Sequence, residues 1–342
     1  MSHVFVTGGA GYVGSVLVPK LLARGHRVTV FDLYLYGREP LANLRGAAGL
    51  REIVGDLRDG DAVARGIAGC DAVIHLACIS NDPSFELDPE LGKSINYDCF
   101  PQLVAASKAA GVRRFVYASS SSVYGVSDSP EVTETHPLVP LTDYSKFKAL
   151  CEPILLSAAT PSFIPVVARP ATVCGYSPRM RFDLSVNILT NHAVNRGKIT
   201  VFGGSQTRPN IHIEDMADFY LGLLDAPSEK IAGEIFNVGF QNHSILELAH
   251  IVRDVTNSHF RQRDVEIETT PTQDLRSYRV DSKKALDVLG FRPRRTIQDA
   301  VADLCDAFRI GRFSASADDA RYNNVALMKQ KTDLVLASAS DR

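Results

Sequence analysis

The segment that most constrains this chain is a glycine-rich turn between an apolar strand and an apolar-periodic helix. The strand pattern His3–Thr7 runs directly into Gly8, Gly11 and Gly14, and a helical pattern follows. Gly8 permits a tight turn, Gly11 lets a pyrophosphate approach backbone N–H groups, and Gly14 lets the helix pack closely on the strand. The helix N-terminus, with its unpaired N–H donors, favours an anion. The predicted dinucleotide-binding residues of this turn are Gly8, Gly11, Tyr12, Val13 and Gly14.

An acidic residue follows at the distance expected for the ribose of the same cofactor. The next strand pattern, His26–Phe31, ends at Asp32, which lies 18 residues beyond Gly14. A carboxylate there accepts hydrogen bonds from both ribose hydroxyls and repels a 2′-phosphate, so the sequence predicts NAD rather than NADP. The alternative is a turn aspartate on a sheet that binds no nucleotide.

Strand-like apolar runs alternate with helical patterns through the first half of the chain, which is typical of βαβ units. We predict the α/β class, with a Rossmann-type doubly wound parallel sheet and a smaller mixed α/β substrate lobe. The further predicted strands are 52–54, 72–76, 114–118, 163–168 and 235–238, and the predicted helices are near 60–68, 88–110, 142–158 and 214–225.

The pattern becomes irregular after Arg169-Pro170, which predicts a division into two lobes. Residues 1–174 form the predicted NAD-binding domain, rejoined by about 213–240. The substrate lobe is expected from 175–212 and 241–312, and residues 313–342 are expected to form a C-terminal arm or tail.

Composition and charge exclude several classes of partner. The 342 residues carry a net charge of −2, so no basic field predicts nucleic-acid binding. The first strand begins too early for a leader, and no run of about 18 apolar residues follows, so we expect no membrane partner and a cytoplasmic location. The six cysteines have no paired spacing with each other or with the nine histidines, which predicts free thiols and no metal site.

A tyrosine and a lysine stand four residues apart in a segment with a helical pattern. Tyr144 and Lys148 would share one face of that helix. Lowering a phenol pKa by about three units needs roughly 4 kcal/mol of preferential stabilisation of the phenolate. A neighbouring ammonium, helped by a nicotinamide cation, is suited to supply it. Two surface side chains on an amphipathic helix are the alternative interpretation.

A cluster of serines supports the catalytic interpretation. The predicted strand 114–118 runs into four serines, 119–122, at the carboxyl end of a parallel strand, where such sheets bind ligands. Ser120 is positioned to hydrogen-bond a sugar oxygen beside the phenol of Tyr144. The alternative is an ordinary polar turn at the end of a strand.

Together these motifs resemble the extended short-chain dehydrogenase/reductase family, specifically its nucleotide-sugar epimerase/dehydratase group. The resemblance covers about residues 3–310 and leaves the tail outside. It rests on TGGAGYVG at 7–14, Asp32, Gly55–Leu57, His75–Ala77, Asn96, SSSSVYG at 119–125, Tyr144, Lys148, Arg169-Pro170 and the segment 208–215.

The resemblance implies roles for further residues. Asp56 and Leu57 would flank the adenine, Leu76 and Ala77 would line the cofactor ribose, and Asn96 would support the nicotinamide end of the site. Lys148 would also bind the nicotinamide ribose. The implied substrate-binding residues are Ser121, Ser122, Thr172, Arg208 and Arg276, the two arginines as contacts of the substrate diphosphate or, alternatively, as surface charges. A homodimer through the helices near 88–110 and 142–158 is implied by analogy alone.

The chain also departs from the family pattern. Ser122 stands where the dehydratases and decarboxylases of the family carry an acid, which disfavours lyase chemistry. Thr172 replaces the usual Asn, and Cys99-Phe100 replaces the usual Gly-Thr, so the sugar contacts are expected to differ.

The implied reaction is oxidation and reduction at C4 of a nucleotide-diphospho-sugar, with Tyr144 as base, and C4 epimerisation is preferred. A 4-dehydrogenase that releases the ketone uses the same residues. A 4,6-dehydratase would need another acid, such as Asp128 or Glu131, to reach the site. A non-catalytic NAD-binding regulator is the alternative from a different class.

Overall fold

A seven-stranded parallel sheet organises the chain in a computed structural model, which describes residues 1–260, 264–272, 277–313 and 318–330. Its strands are β1 (His3–Thr7), β2 (Arg27–Asp32), β3 (Leu50–Val54), β4 (Ala72–His75), β5 (Arg114–Ala118), β6 (Ile164–Pro170) and β10 (Ile235–Val238). Their spatial order is β10-β6-β5-β4-β1-β2-β3, which reverses between β1 and β4. The predicted doubly wound Rossmann-type sheet is therefore confirmed, and its ligand edge is expected at that reversal.

Helices cover both faces of this sheet. They are α1 (Gly14–Ala23), α2 (Gly60–Ile67), α3 (Asp82–Phe85), α4 (Pro89–Lys93), α5 (Phe100–Ala109), α6 (Asp143–Leu156) and α8 (Ile213–Asp225), with a π-helical turn, Ser94–Asp98, between α4 and α5. Because side chains of a strand alternate between the faces, Val4 and Val6 pack with α1 and α8, whereas Phe5 packs with α2 and α5.

The remaining elements form the smaller lobe and the connections to it. Its strands are β7 (Thr172–Cys174), β8 (Lys198–Phe202), β9 (Thr207–His212), β11 (Gln241–Ser244) and β12 (Glu266–Thr270), paired as β11-β9-β7 and β12-β8. The helices are α7 (Ser185–Arg196), α9 (Ser228–Ile231), α10 (Ile245–His259), α11 (Lys283–Leu289) and α12 (Ile297–Arg309). The lobe has its own core, in which Val186, Leu248 and Val301 are fully buried.

Residues 318–330, called here the C-terminal arm, return to the body of the protein. They form a 3₁₀ turn, Ala320–Tyr322, and a helix over 324–330. Leu327 and Met328 are buried, so this part of the chain packs as an arm. In the ranges that the structure describes, no helix combines the length and apolar character needed to cross a bilayer.

Substituting two glycines, one in the turn between β1 and α1 and one in α8, tests how strongly close packing at that turn constrains the fold. An added Cβ at Gly14 would lie 2.6 Å from Gly9 Cα, whereas one at the exposed Gly222 in α8 would meet nothing within 4 Å. G14A is therefore expected to lower the free energy of unfolding by about 1–3 kcal/mol, and G222A to raise it by about 0.5–1 kcal/mol. Urea unfolding of both variants measures this difference, and equal effects would contradict it.

Candidate active site

The turn between β1 and α1 lies at one side of a cleft of about 770 Å³ at the carboxyl ends of the parallel strands. Gly8 has φ +73°, and a Cβ there would lie 2.7 Å from the backbone N of Ala77. At Gly11 an added Cβ would meet only the Gly8 carbonyl oxygen, 3.1 Å away. In the described part of the chain, the backbone N–H groups of Tyr12 and Val13 have no protein acceptor. Free donors in a side-chain-free cradle at a helix N-terminus fit the diphosphate of a dinucleotide.

Asp32 lies at the end of β2 in the same cleft. Its Oδ2 accepts a hydrogen bond from Ala10 N at 3.0 Å, and its Oδ1 accepts one from Tyr34 N at 2.8 Å. Burial raises the pKa of this carboxyl, and the two backbone donors oppose the rise. The carboxylate is thus oriented, and each oxygen keeps acceptor capacity for a ribose hydroxyl.

Of the two residues predicted to flank the adenine, Leu57 lines the cleft and Asp56 does not. Gly55 and Leu57 line the cleft, but the Asp56 carboxylate is held by Arg58, with Nη2 at 2.6 Å from Oδ2. Asp56 is not among the residues that line the cleft. The expected bond from Asp56 to the adenine amino group would therefore have to share a carboxylate that already binds a guanidinium.

The residues predicted beside the cofactor ribose and nicotinamide lie around β4. Leu76 and Ala77 line the cleft. The Asn96 side chain instead bonds to the backbone of Ile79, accepting from its N at 2.8 Å and donating to its O at 2.9 Å. Asn96 therefore orients the chain that follows β4 and does not itself line the cleft.

Ser120, Tyr144 and Lys148, the predicted catalytic residues, all line this cleft. Thr142 and Ser145 form a capping box at the start of α6, which fixes the first helical turn, where Tyr144 lies. The Ser120 hydroxyl is close enough to the phenol of Tyr144 to lower its pKa. The Lys148 ammonium is buried and donates to the Ala118 carbonyl oxygen at 2.7 Å.

The electrostatic surroundings of Tyr144 differ from the expectation. Burial raises the pKa of its phenol well above 10, and the Cys78 and Asp82 side chains raise it further. The Arg181 guanidinium, which the sequence analysis did not single out, lowers this pKa. The lysine donates to the backbone at the end of β5, and the arginine lies in the segment after β7.

Two buried arginines in this segment, Arg179 and Arg181, were missed by the sequence analysis. Arg181 forms an ion pair with Asp183, Nε to Oδ1 2.9 Å, and donates to Ser80 Oγ at 3.0 Å. Both arginines line the cleft and are less than a tenth exposed. The available signal was their position shortly after β6, since the carboxyl ends of parallel strands border the ligand site.

The predicted substrate-binding residues have different surroundings. Ser122 Oγ lies 2.8 Å from Ser120 Oγ, and Ser121 Oγ lies 3.2 Å from the Tyr278 hydroxyl. Thr172 and Arg208 line the cleft. Arg276 lies outside the described residues.

The carboxylates near the cleft bear on the choice between reactions. Asp128 and Glu131, proposed above as substitute acids, are exposed and do not line it. Within the described residues, the carboxylates that line it are Asp32, Asp82 and Asp183. The Asp82 carboxylate accepts from Thr142 Oγ1 at 2.6 Å. No group of His, Cys, Asp or Glu in the described ranges is arranged to hold a metal ion.

A buried ion pair beneath the cleft connects α6 to β6. Arg169 Nη2 lies 2.6 Å from Glu152 Oε2, and both side chains are 3% exposed. Ser119 Oγ, next to the predicted catalytic residue Ser120, donates to Glu152 Oε1 at 2.6 Å. The Arg169 guanidinium also donates to the Tyr124 hydroxyl at 2.8 Å. Each charge is therefore matched by hydrogen bonds, as a buried pair requires.

The chain is similar to known proteins in both sequence and fold. The sequence model of the NAD dependent epimerase/dehydratase family matches residues 4–239. A UDP-glucose 4-epimerase from Lactobacillus helveticus is 28% identical over 321 residues, which cover 87% of this chain and 94% of that protein.

Two solved structures are similar over most of the chain. DesIV, a dTDP-glucose 4,6-dehydratase from Streptomyces venezuelae with NAD and TYD bound, has a TM-score of 0.80 and 26% identity, covering 91% of this chain and 98% of its own. MoeE5 in complex with UDP-glucose and NAD has a TM-score of 0.79 and 26% identity, covering 91% and 100%. The relatives thus include both an epimerase and a dehydratase.

Removing the charge of Glu152 tests whether the buried pair holds the site together. E152Q leaves the Arg169 guanidinium buried without its counter-charge, so the free energy of unfolding is expected to fall by roughly 3–5 kcal/mol. D306N is the control, because it removes the exposed Arg309–Asp306 pair and is expected to change stability by less than about 0.5 kcal/mol. Denaturant unfolding measures both, and similar small losses would show that the buried pair is dispensable.

Proposed function

The chain belongs to the NAD dependent epimerase/dehydratase family, as its motifs predict, and from this we propose that it is an NAD-dependent epimerase of a nucleotide-diphospho-sugar. The proposed reaction oxidises C4 of the hexose transiently to a 4-keto sugar and reduces it on the opposite face. Bound NAD would supply the hydride acceptor and donor. The observation that carries the proposal is the convergence of Tyr144 and Ser120 in one cleft with the glycine turn and Asp32.

Tyr144 is proposed to take the proton from the C4 hydroxyl and return it after reduction, while Ser120 holds the same oxygen. Because burial raises the pKa of this phenol, the proton transfer depends on nearby positive charge. Arg181 supplies part of that charge. Lys148, held by the Ala118 carbonyl, is proposed to bind the nicotinamide ribose.

Several features favour epimerisation over elimination of water. The serine cluster carries Ser122 where lyases of this family carry an acid, and Asp128 and Glu131 do not line the cleft. One observation favours a 4,6-dehydratase as the second candidate: Asp82 lines the cleft and acts on Tyr144 electrostatically. A 4-dehydrogenase that releases the ketone would use the same residues as the epimerase.

The proposed substrate contacts are Ser121, Ser122, Thr172 and Arg208, with Arg276 retained from the sequence alone. Homodimerisation through the helices near 88–110 and 142–158 is also proposed. It rests on analogy with the family alone.

Product analysis tests the proposed function directly. Purified protein is incubated with UDP-, GDP-, CDP- and dTDP-sugars, with and without added NAD, and the products are identified by NMR and mass spectrometry. We expect a C4 epimer of unchanged mass from at least one sugar. A product lighter by one water identifies a dehydratase, and an accumulating ketone identifies a 4-dehydrogenase.

The matched pair for this assay is Y144F and Y97F. Y144F removes the proposed base and is expected to lower kcat at least about 100-fold. Y97F removes the same hydroxyl from a ring that stacks on Phe147 outside the cleft, and is expected to retain activity. Retained activity in Y144F with intact NAD binding would favour the non-catalytic regulator.

The choice of cofactor provides a separate prediction. The parent chain is expected to bind NAD more tightly than NADP, because the Asp32 carboxylate repels a 2′-phosphate. D32A is expected to reduce the preference for NAD about 10-fold or more, because it weakens the binding of NAD and allows NADP to bind. Titration of both dinucleotides checks this, and tighter NADP binding by the parent would refute the role of Asp32.

A further inference from the structure

The C-terminal arm lies outside the family match at 4–239 and nevertheless forms part of the cleft. Its Tyr322 ring packs edge-on against Phe182 at 5.3 Å and Phe313 at 5.6 Å between centroids. The Tyr322 carbonyl oxygen also accepts a hydrogen bond from Phe182 N at 2.7 Å. These contacts deliver the next residues of the arm, including Asn324, to the ligand site.

Asn324 is 1% exposed and bonds to three residues of the cleft. Its Oδ1 accepts from Arg179 Nη2 at 2.5 Å, and its Nδ2 donates to Ser80 Oγ at 2.9 Å. Its backbone N donates to Asp183 Oδ2 at 3.4 Å. Because Ser80 Oγ also accepts from Arg181, a single arm residue contacts both cleft arginines, one directly and one through a serine.

Arg179 differs from Arg181 in lacking a carboxylate partner. Its two hydrogen bonds run to the neutral oxygens of Asn324 and Met180, and no ion pair is formed with any described residue. Within the described residues the other N–H groups of the guanidinium have no acceptor, although the residue is only 4% exposed. Burial and the nearby Arg181 charge lower the pKa of Arg179 to about 10, although the charges of Asp183 and Asp32 oppose the fall.

The segment around Arg179 is anchored to the start of α1 and to the turn before it. Arg179 N donates to Ser15 Oγ at 3.3 Å, and Ser177 Oγ donates to the Tyr12 carbonyl oxygen at 2.7 Å. The guanidinium carbon lies 4.2 Å from the ring centre of Tyr36, four residues beyond Asp32. Arg179 therefore lies between the free N–H donors of the glycine turn and the loop that follows β2.

Beside this guanidinium, the Tyr36 hydroxyl is buried and has no hydrogen-bond partner in the part of the chain that the structure describes. The site therefore combines the Arg179 guanidinium, the Tyr36 hydroxyl and the N-terminus of α1. An anion bound there would accept hydrogen bonds from these groups and balance the positive charge. The dinucleotide of the proposed function brings a diphosphate to this helix end.

We propose that Arg179 is the cation that binds the cofactor diphosphate, and that Asn324 of the C-terminal arm is the positioning residue that holds its guanidinium in place. The assignment rests on the proposed function for the identity of the anion. It makes the arm part of the cofactor site, although the arm lies beyond the family match.

The test compares the affinities of the full chain and its variants for NAD, ADP and adenosine by isothermal titration calorimetry. R179M is expected to weaken NAD and ADP about 10- to 100-fold, the range for losing a hydrogen bond to a charged group. The affinity for adenosine, which lacks the diphosphate, is expected to change by less than about 2-fold. R179K keeps the positive charge and is expected to lose less affinity for NAD and ADP than R179M. R321M, which changes an exposed arginine of the C-terminal arm, is the control and is expected to bind both ligands as the parent does.

Two variants of Asn324 separate a positioning role from a merely structural bond. N324A is expected to weaken ADP binding about 3- to 10-fold. N324D keeps an acceptor for Arg179 but gives it a carboxylate that competes with the diphosphate, so it is expected to weaken ADP more than N324A. A bond that only secures the arm predicts the reverse order, and that order would overturn the assignment of Asn324.

Further outcomes also decide the proposal. If R179M binds ADP as tightly as the parent, the proposed diphosphate contact is wrong. The same holds if R179M loses affinity for adenosine and for ADP equally. Neither result affects the proposed function. A parent chain that binds neither NAD nor ADP overturns both. Should R179M fail to fold, the order of the two Asn324 variants decides.

Discussion

The buried ion pair between Glu152 and Arg169 is the interaction on which the geometry of the cleft depends. Tyr144, Lys148 and Glu152 follow one another at four-residue spacing, so they share one face of α6. Because Arg169 of β6 holds the last of them and Ser119 of β5 donates to the same carboxylate, α6 has one favourable rotation against the sheet. That rotation directs the phenol toward Ser120 and the ammonium toward the end of β5. The pair is thus best understood as a device for orientation, since desolvation offsets most of its attraction.

Two of the cations that line the cleft, Arg179 and Arg181, have different electrostatic surroundings. Arg181 is neutralised by Asp183, so its field at Tyr144 is that of a pair. Arg179 has no such partner and lies beside a helix N-terminus. A chain with a net charge of −2 therefore buries, beside this helix end, a cation that forms no ion pair with any described residue. This arrangement suits a ligand that brings negative charge with it, and the C-terminal arm closes over that point.

Local patterns predicted the sheet and the glycine turn well. The strand His3–Thr7 and the strand 114–118 have the bounds expected from the sequence, because apolar runs between turn residues determine parallel strands locally. Asp32, Ser120, Tyr144 and Lys148 line one cleft, since each follows or faces the carboxyl end of a strand. The contacts of individual side chains were less predictable from the sequence. The pairing of Asp56 with Arg58 and the donation of Lys148 to a backbone carbonyl depend on side-chain orientation, which spacing does not report.

The sequence by itself determined the class of fold, the dinucleotide turn and the family of the chain, because these depend on short segments whose glycines and apolar periods act locally. Only the tertiary structure decided which cation acts on Tyr144 and what the C-terminal arm contacts. Arg181 and Asn324 reach the cleft across long stretches of chain, and no local pattern encodes which distant side chains packing will bring together.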